Sequence, residues 1–152
     1  MVRLELTTRG DYAVRAMLAL ACGGGERMLS APRIAEEMTI PPRFLPQVMG
    51  DLVRAGLVAS EPGRAGGYRL ARPAESISLL TIIEAVEGDS RRQTCVLRGG
   101  PCSEDGLCAV HAAFFAAEDA LVSTLAAVTL ADVAGPGPDC RYPVELQQVA
   151  GD

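Results

Sequence analysis

Apolar residues recur at helical steps of three and four along most of this chain, and only two short stretches read as β. Residues 6–22 predict a first helix, with Tyr12, Val14, Met17, Leu18, Leu20 and Ala21 forming a broad buried face. Thr8 is the expected N-cap, with Asp11 three positions on able to close a capping box, and Gly23 to Gly25 stop the helix. A second helix starts at Ser30 or Pro32 and runs to Met38. Thr39, Ile40 and Pro41 form the expected turn, and a third helix runs from about Pro42 or Phe44 to Ala55, with Gly56 as its natural stop. Pro46 cannot donate to the carbonyl of Pro42, so regular helix is expected only from Leu45.

Two short helices joined by a tight turn are the helix-turn-helix pattern. Leu57 to Ser60 and Tyr68 to Leu70 then read as a hairpin around the glycine-rich loop EPGRAGG, which adds a wing. Residues 78–87 predict another helix, capped by Ser78 and stopped by Gly88. A long helix is expected from Leu107 to Val128, with a seam at Leu107, Val110, Phe114, Ala117, Leu121, Leu125 and Val128. Such a seam must be covered, and a second copy of the chain covers it most economically, so a homodimer is expected. The alternative is packing back onto the first helix. The expected fold is mainly α with a small β wing: a winged helix-turn-helix DNA-binding domain over residues 1–75, a cysteine loop and dimerisation helices over 76–134, and a loose tail over 135–152 holding Cys140.

Charge sharpens this picture once it is divided. The net −5 hides ten arginines against seven acids in residues 1–72 and four arginines against twelve acids in residues 73–152. The winged half is therefore locally positive, as a phosphate backbone requires. No run of 18 apolar residues exists to span a membrane, and the N-terminus lacks the apolar core of a signal peptide, so a cytoplasmic protein is expected. With 152 residues, few aromatics and no tryptophan, the core must be aliphatic and alanine-rich. One histidine, no phosphate-cradling loop and no nucleophile beside a base argue against an enzyme.

Candidate chemistry concentrates between Cys95 and His111. Cys95, Cys102, Cys108 and His111 follow the spacing C-x6-C-x5-C-x2-H, separated by glycine, proline and serine that leave the backbone free to wrap an ion. Thiolate and imidazole are ligands of zinc and of iron–sulfur centres alike. A CCCH-type zinc module that binds RNA would interleave aromatics for base stacking, and this loop has none. A winged helix that serves only as a protein-interaction module is the remaining rival.

The stretch LTTRGDYAVRAMLALA, the wing GRAGGYRLARP, the helix ISLLTIIEAVEG and three cysteines before a long helix together resemble the Rrf-two family of bacterial winged-helix transcription factors. The resemblance covers roughly residues 2–134. It implies a cytoplasmic homodimer on a palindromic operator, in many members with an iron–sulfur cluster on the three cysteines. The C-x2-H ending is similar to the IscR-like pattern, in which the histidine completes a [2Fe–2S] site, so His111 is the favoured fourth ligand. The first cysteine gap is six residues where about five is expected for the family. Asp11 stands where NsrR-like members place an aspartate ligating a [4Fe–4S] cluster from the other subunit, and is the alternative. Members without a cluster exist, and in them the cysteines act as redox switches or do nothing, so a cluster-free or zinc-containing regulator or interaction module switched by its thiols is the alternative.

DNA contact is expected from Arg43 and Gln47, one turn apart on the third helix, where arginine suits guanine and glutamine adenine at ~1–3 kcal/mol of discrimination each. Arg64 in the wing, with Gly66 beside it, suits a narrow minor groove. Ser30, Arg33 and Arg9 are expected phosphate contacts. The expected function is a regulator, most simply a repressor, that senses redox state, iron–sulfur status or nitric oxide.

Overall fold

The computed structural model describes residues 4–22, 25–89, 97 and 108–134. Cys95, Cys102 and the tail with Cys140 lie outside the described residues. Helix α1 (Thr8–Ala21) is the central element, touching α2 (Ala31–Met38), α3 (Leu45–Arg54), α4 (Leu79–Glu87), the second strand of the wing and α6 (Leu130–Ala134). Its Ala13, Ala16 and Ala19 are fully buried, and alanine is what lets neighbouring helices approach so closely. Met17, Leu20, Ile34, Met38, Leu45, Met49, Leu52, Leu57, Ile77, Ile82 and Leu130 fill the space between them. Each such side chain contributes roughly 1.5–3 kcal/mol by leaving water. The core is aliphatic throughout, and Ile82, Val86 and Leu130 join it from the C-terminal half, so it crosses the expected boundary at residue 75.

The N-cap of α1 is Thr7 rather than Thr8: its hydroxyl accepts from the Gly10 amide at 3.2 Å. Asp11 does not close a capping box with Thr8 but pairs one turn on with Arg15, at 2.8 Å. Helix α2 follows Ser30 as N-cap and ends at Thr39, whose left-handed backbone (φ 52°) turns the chain. The link to α3 is longer than expected, occupying residues 39–44 with a bend at Pro42 to Phe44. Regular helix begins at Leu45 with Pro46 in the first turn, where a missing N–H has no intrahelical partner to lose.

Strands β1 (Val58–Glu61) and β2 (Gly67–Leu70) pair antiparallel in the register Val58↔Leu70 and Glu61↔Gly67. The wing is tied to the body by a bridge between Leu29 and Tyr68, with N–O distances of 2.8 and 2.9 Å. Gly67 lies so close to the Leu29 carbonyl that a Cβ would collide with backbone, so only glycine fits that crossing. A short 3-10 turn, Ala74–Ser76, leads to α4, which is capped by Ser78 accepting from the Thr81 amide at 3.1 Å.

Helix α5 spans His111–Ala127, beginning four residues later than the expected Leu107. At 1.5 Å per residue its 17 residues measure about 25 Å. Only Val122 on it is buried, while Phe114, Phe115 and Leu121 are exposed, so the seam is not covered by this chain's own first helix. Its C-terminal end is held by main-chain bonds from Leu79 to Val128 (2.9 Å) and from Leu130 to Ile77 (2.7 Å). Among the described residues no helix is long and apolar enough to cross a membrane.

Candidate nucleic-acid interface and cysteine site

Arg43 sits in the bend before α3, not on the helix itself, and Gln47 is the third residue of α3. The Arg43 guanidinium lies 4.7 Å from the centre of the Phe44 ring, and that ring packs against Tyr12 of α1 at 5.6 Å. Arg15 covers Tyr12 in turn, at 5.9 Å. The stack ties the start of α3 to α1, and a guanidinium held over an aromatic face has less freedom to lose on binding any ligand.

Every basic side chain except His111 is an arginine, so the electrostatic question is which guanidiniums already have an acid. Arg9 and Arg54 both pair with Asp51 of α3, a buried carboxylate. Arg27 and Arg33 share Glu37 at 3.2 and 2.6 Å, and Arg69 meets Glu61 across the wing at 3.3 Å. The hydrogen bond to Glu37 raises the Arg33 pKa further above its ordinary value. Among the described residues Arg43, Arg64 and Arg72 have no carboxylate partner. These three stand before the recognition helix, in the wing loop and just after the wing.

A phosphate would therefore compete with a protein carboxylate for Arg9 and Arg33, but not for Arg43 and Arg64. Ser30 makes no side-chain cap bond, which leaves its exposed hydroxyl open at the start of α2. Gly66 has a structural reason to be glycine, because a Cβ there would meet the backbone of Glu61 and Pro62. Arg72 was not singled out by the sequence reading. The signal available was a cation two residues past the second strand, and the acid three positions on, Glu75, does not pair with it.

The N-terminus of α1 is also latched to the last residue of α4. The Glu87 carboxylate accepts from the Thr7 hydroxyl at 2.5 Å and from the Thr7 amide at 3.2 Å, and it lies directly against Gly10. Glu87, two residues before the last described position on this side, Asp89, thus joins the end of α4 to the helix whose Arg9 pairs with Asp51 on α3.

Of the four candidate metal ligands, Cys108 and His111 are described. They do not share a helical face, because Cys108 precedes α5 and His111 is its first residue. A turn brings them together, with the His111 amide donating to the Cys108 carbonyl at 2.9 Å. Cys108 is a half-buried thiol, not half of a disulfide, and the His111 ring stacks on Phe115 with centroids 5.9 Å apart. Three thiols and an imidazole are the donor types that suit an iron–sulfur centre or zinc. Among the described residues no group of three such side chains converges, since Cys95 and Cys102 lie outside them. The carboxylate of the alternative ligand, Asp11, is engaged with Arg15. Cys22, passed over in the sequence, ends α1 at 1% exposure and is disulfide-bonded.

Comparison with known proteins gives this arrangement its context. Residues 6–136 match Rrf2, described as an iron-dependent transcriptional regulator. Protein aau3 of Rhizobium meliloti (strain 1021) is 32% identical over 146 residues, covering 95% of this chain and 94% of that protein. The structure of CymR, the global cysteine regulator of B. subtilis, is similar with a TM-score of 0.73 and 31% identity, over 87% of this chain and 97% of that one. T. potens IscR has a TM-score of 0.69 at 31% identity, over 85% of each chain. The family match spans the winged helix and the helices after it, and the chain belongs to the Rrf2 family of DNA-binding transcriptional regulators, not to the enzymes.

Proposed function

We propose that this protein is a cytoplasmic homodimeric regulator, most simply a repressor, that binds a palindromic operator and is switched through Cys95, Cys102, Cys108 and His111. The observation that carries the reading is the position of the Cys108–His111 turn. It opens directly into α5, whose apolar side chains Phe114, Phe115 and Leu121 are left exposed, which supports a ligand site next to the surface through which two protomers would pair. A bound iron–sulfur cluster, [2Fe–2S] in preference to [4Fe–4S], would supply a redox-sensitive and oxygen-sensitive tie between the thiols. Cys108 and His111 would hold it at the head of α5, and Cys95 and Cys102 would hold it from the loop.

Arg43 and Gln47 then read base edges in the major groove and Arg64 enters the minor groove, while Ser30, Arg9 and Arg33 set the register on phosphates. Half-sites about one turn of DNA apart demand a fixed spacing of the two recognition helices. A shift of the dimer helices needs to favour one state by only ~1.4 kcal/mol to change occupancy tenfold.

Anaerobic purification followed by iron and sulfide counts and a visible spectrum tests the cluster. Equal iron and sulfide at two per chain support His111 as fourth ligand, and four per chain support Asp11. Operator affinity of Cys102→Ala, measured beside the loaded protein, tests the switch: equal affinity would refute it. Leu121→Glu tests the dimer by sedimentation, with a shift to monomer expected.

A second reading is favoured by Cys22 at the end of α1, which is disulfide-bonded and not a free thiol. In it the switch is thiol oxidation without metal, as disulfides in reducing compartments are usually redox devices. A metal-free protein whose DNA affinity changes on reduction, and no longer does so in Cys22→Ser, supports this second reading.

A further inference from the structure

Between α2 and α3 lies an open groove of about 600 Å³ whose walls are almost wholly carbon: Ala31, Pro32, Ile40, Pro42, Leu45 and Pro46. Its position matters more than its size. It runs along α2 and the link to the start of α3, next in sequence to Ser30 at one end and to Arg43 and Gln47 at the other. The starts of these two helices are the parts that a helix-turn-helix turns toward DNA.

The chemistry there is unusual for such a face. Helix starts ordinarily present main-chain N–H groups to phosphate. Here Pro32 and Pro46 occupy the first turns of the two helices, and Pro41 and Pro42 stand in the link, so four donors are removed and replaced by ring carbons. Pro32, Pro42 and Pro46 are exposed. Glu36 and Thr39, one and two turns along α2, bring the only polar side chains to the lining.

We propose that this groove takes the 5-methyl groups of thymine, making Pro42 and Pro46 specificity-determining residues of the operator interface. The inference rests on the reading of this face as the DNA-binding one. In the major groove the only apolar group that an unmodified base pair displays is the thymine methyl. The groove is continuous with the polar readers Arg43 and Gln47, so a base step read by Gln47 brings a neighbouring methyl against the proline rings. Thymine at these positions is thereby preferred over cytosine, which lacks the methyl, without any hydrogen bond from the prolines.

The test begins with duplexes selected by the wild-type protein from a random pool. Each thymine of the selected half-site is then replaced by deoxyuridine, which removes the methyl and leaves base pairing intact. The expected result is one or two positions per half-site where uracil weakens binding about fourfold, the value of one buried carbon group. In Pro42→Ala/Pro46→Ala the thymine-to-uracil ratio should fall to one, whatever change in absolute affinity the two restored main-chain N–H groups bring to both duplexes alike. Both prolines are exposed and neither belongs to the buried core, and a circular-dichroism spectrum of wild-type helix content checks that the variant is folded. A purely structural role for the prolines would lower both affinities equally and leave the ratio intact, which would overturn the proposal. Equal wild-type binding of thymine and uracil duplexes would also overturn it, and would leave the groove to an apolar ligand or a protein segment. Failure of the wild-type protein to select any duplex is a different result, because it removes the DNA-binding reading along with the inference.

Discussion

Substituting Gly10 with alanine sets two effects of similar size against each other, and Glu87 decides which prevails. Gly10 is the third residue of α1, and alanine in a helix interior is more favourable than glycine by about 0.8–1 kcal/mol, less near an end, so ~0.5 kcal/mol is expected here. The new Cβ would occupy the position of the Glu87 carboxylate oxygen. That oxygen accepts from the Thr7 hydroxyl at 2.5 Å and the Thr7 amide at 3.2 Å. Hydrogen bonds to a charged group contribute about 1.5–3 kcal/mol, but this pair is exposed, and discounting for solvent leaves ~1–2 kcal/mol for the whole latch. Gly10→Ala alone should therefore destabilise the protein by ~0.5–1.5 kcal/mol.

In a Glu87→Ala background the latch is already gone and the collision with it. Gly10→Ala should then stabilise by ~0.5 kcal/mol, a change of sign. The four proteins form a double-mutant cycle whose coupling is about 1–2 kcal/mol. Urea unfolding at one fixed protein concentration measures it, because the stability of the proposed dimer would depend on concentration. If Gly10→Ala shifts the midpoint equally in both backgrounds, the carboxylate does not occupy that space and the link between α4 and α1 is not made by Glu87.

Three further outcomes are expected. Asp51→Asn leaves Arg9 and Arg54 without their shared buried partner and should cost ~1–2 kcal/mol, with coupling to Arg9→Ala in a cycle; additive effects would show that the pair does not hold α1 to α3. Arg64→Ala should weaken DNA binding and reduce the salt slope by about one, whereas Arg69→Ala, whose guanidinium is already paired with Glu61, should change the slope less. Hydrogen bonds from the Thr129 amide and hydroxyl hold the Asp132 carboxyl below the ordinary aspartate range. Its contribution is therefore present at neutral pH and is lost as pH falls below about 4. Urea midpoints of wild type and Asp132→Ala should converge over that interval, and a constant gap between them would contradict the capping role.

Local chemistry made much of this protein legible from its amino acids alone. Ser78 caps α4, Gly56 and Gly88 close α3 and α4, and Pro46 places the start of α3 at Leu45, because caps and prolines act on hydrogen bonds within one turn, while Ser30 marks the start of α2 by position without a cap bond. The wing followed from two short apolar stretches around a glycine-rich loop. The family was legible in the same residues, and the match over residues 6–136 agrees with it.

What spacing could not decide were contacts between residues far apart in the chain. Thr7 rather than Thr8 caps α1, and the Glu87 carboxylate, eighty positions away, is seated on it. The pairs Asp11–Arg15 and Arg33–Glu37 sit one helical turn apart and are readable as such, but Arg9 meets Asp51 only because α1 and α3 cross. Which guanidiniums remain for DNA is thus a property of packing, since a charge is neutralised by whatever the fold brings within a few ångströms. The same holds for α5. Its apolar seam is written in the sequence, but its exposure depends on α4, α6 and the core having already covered α1.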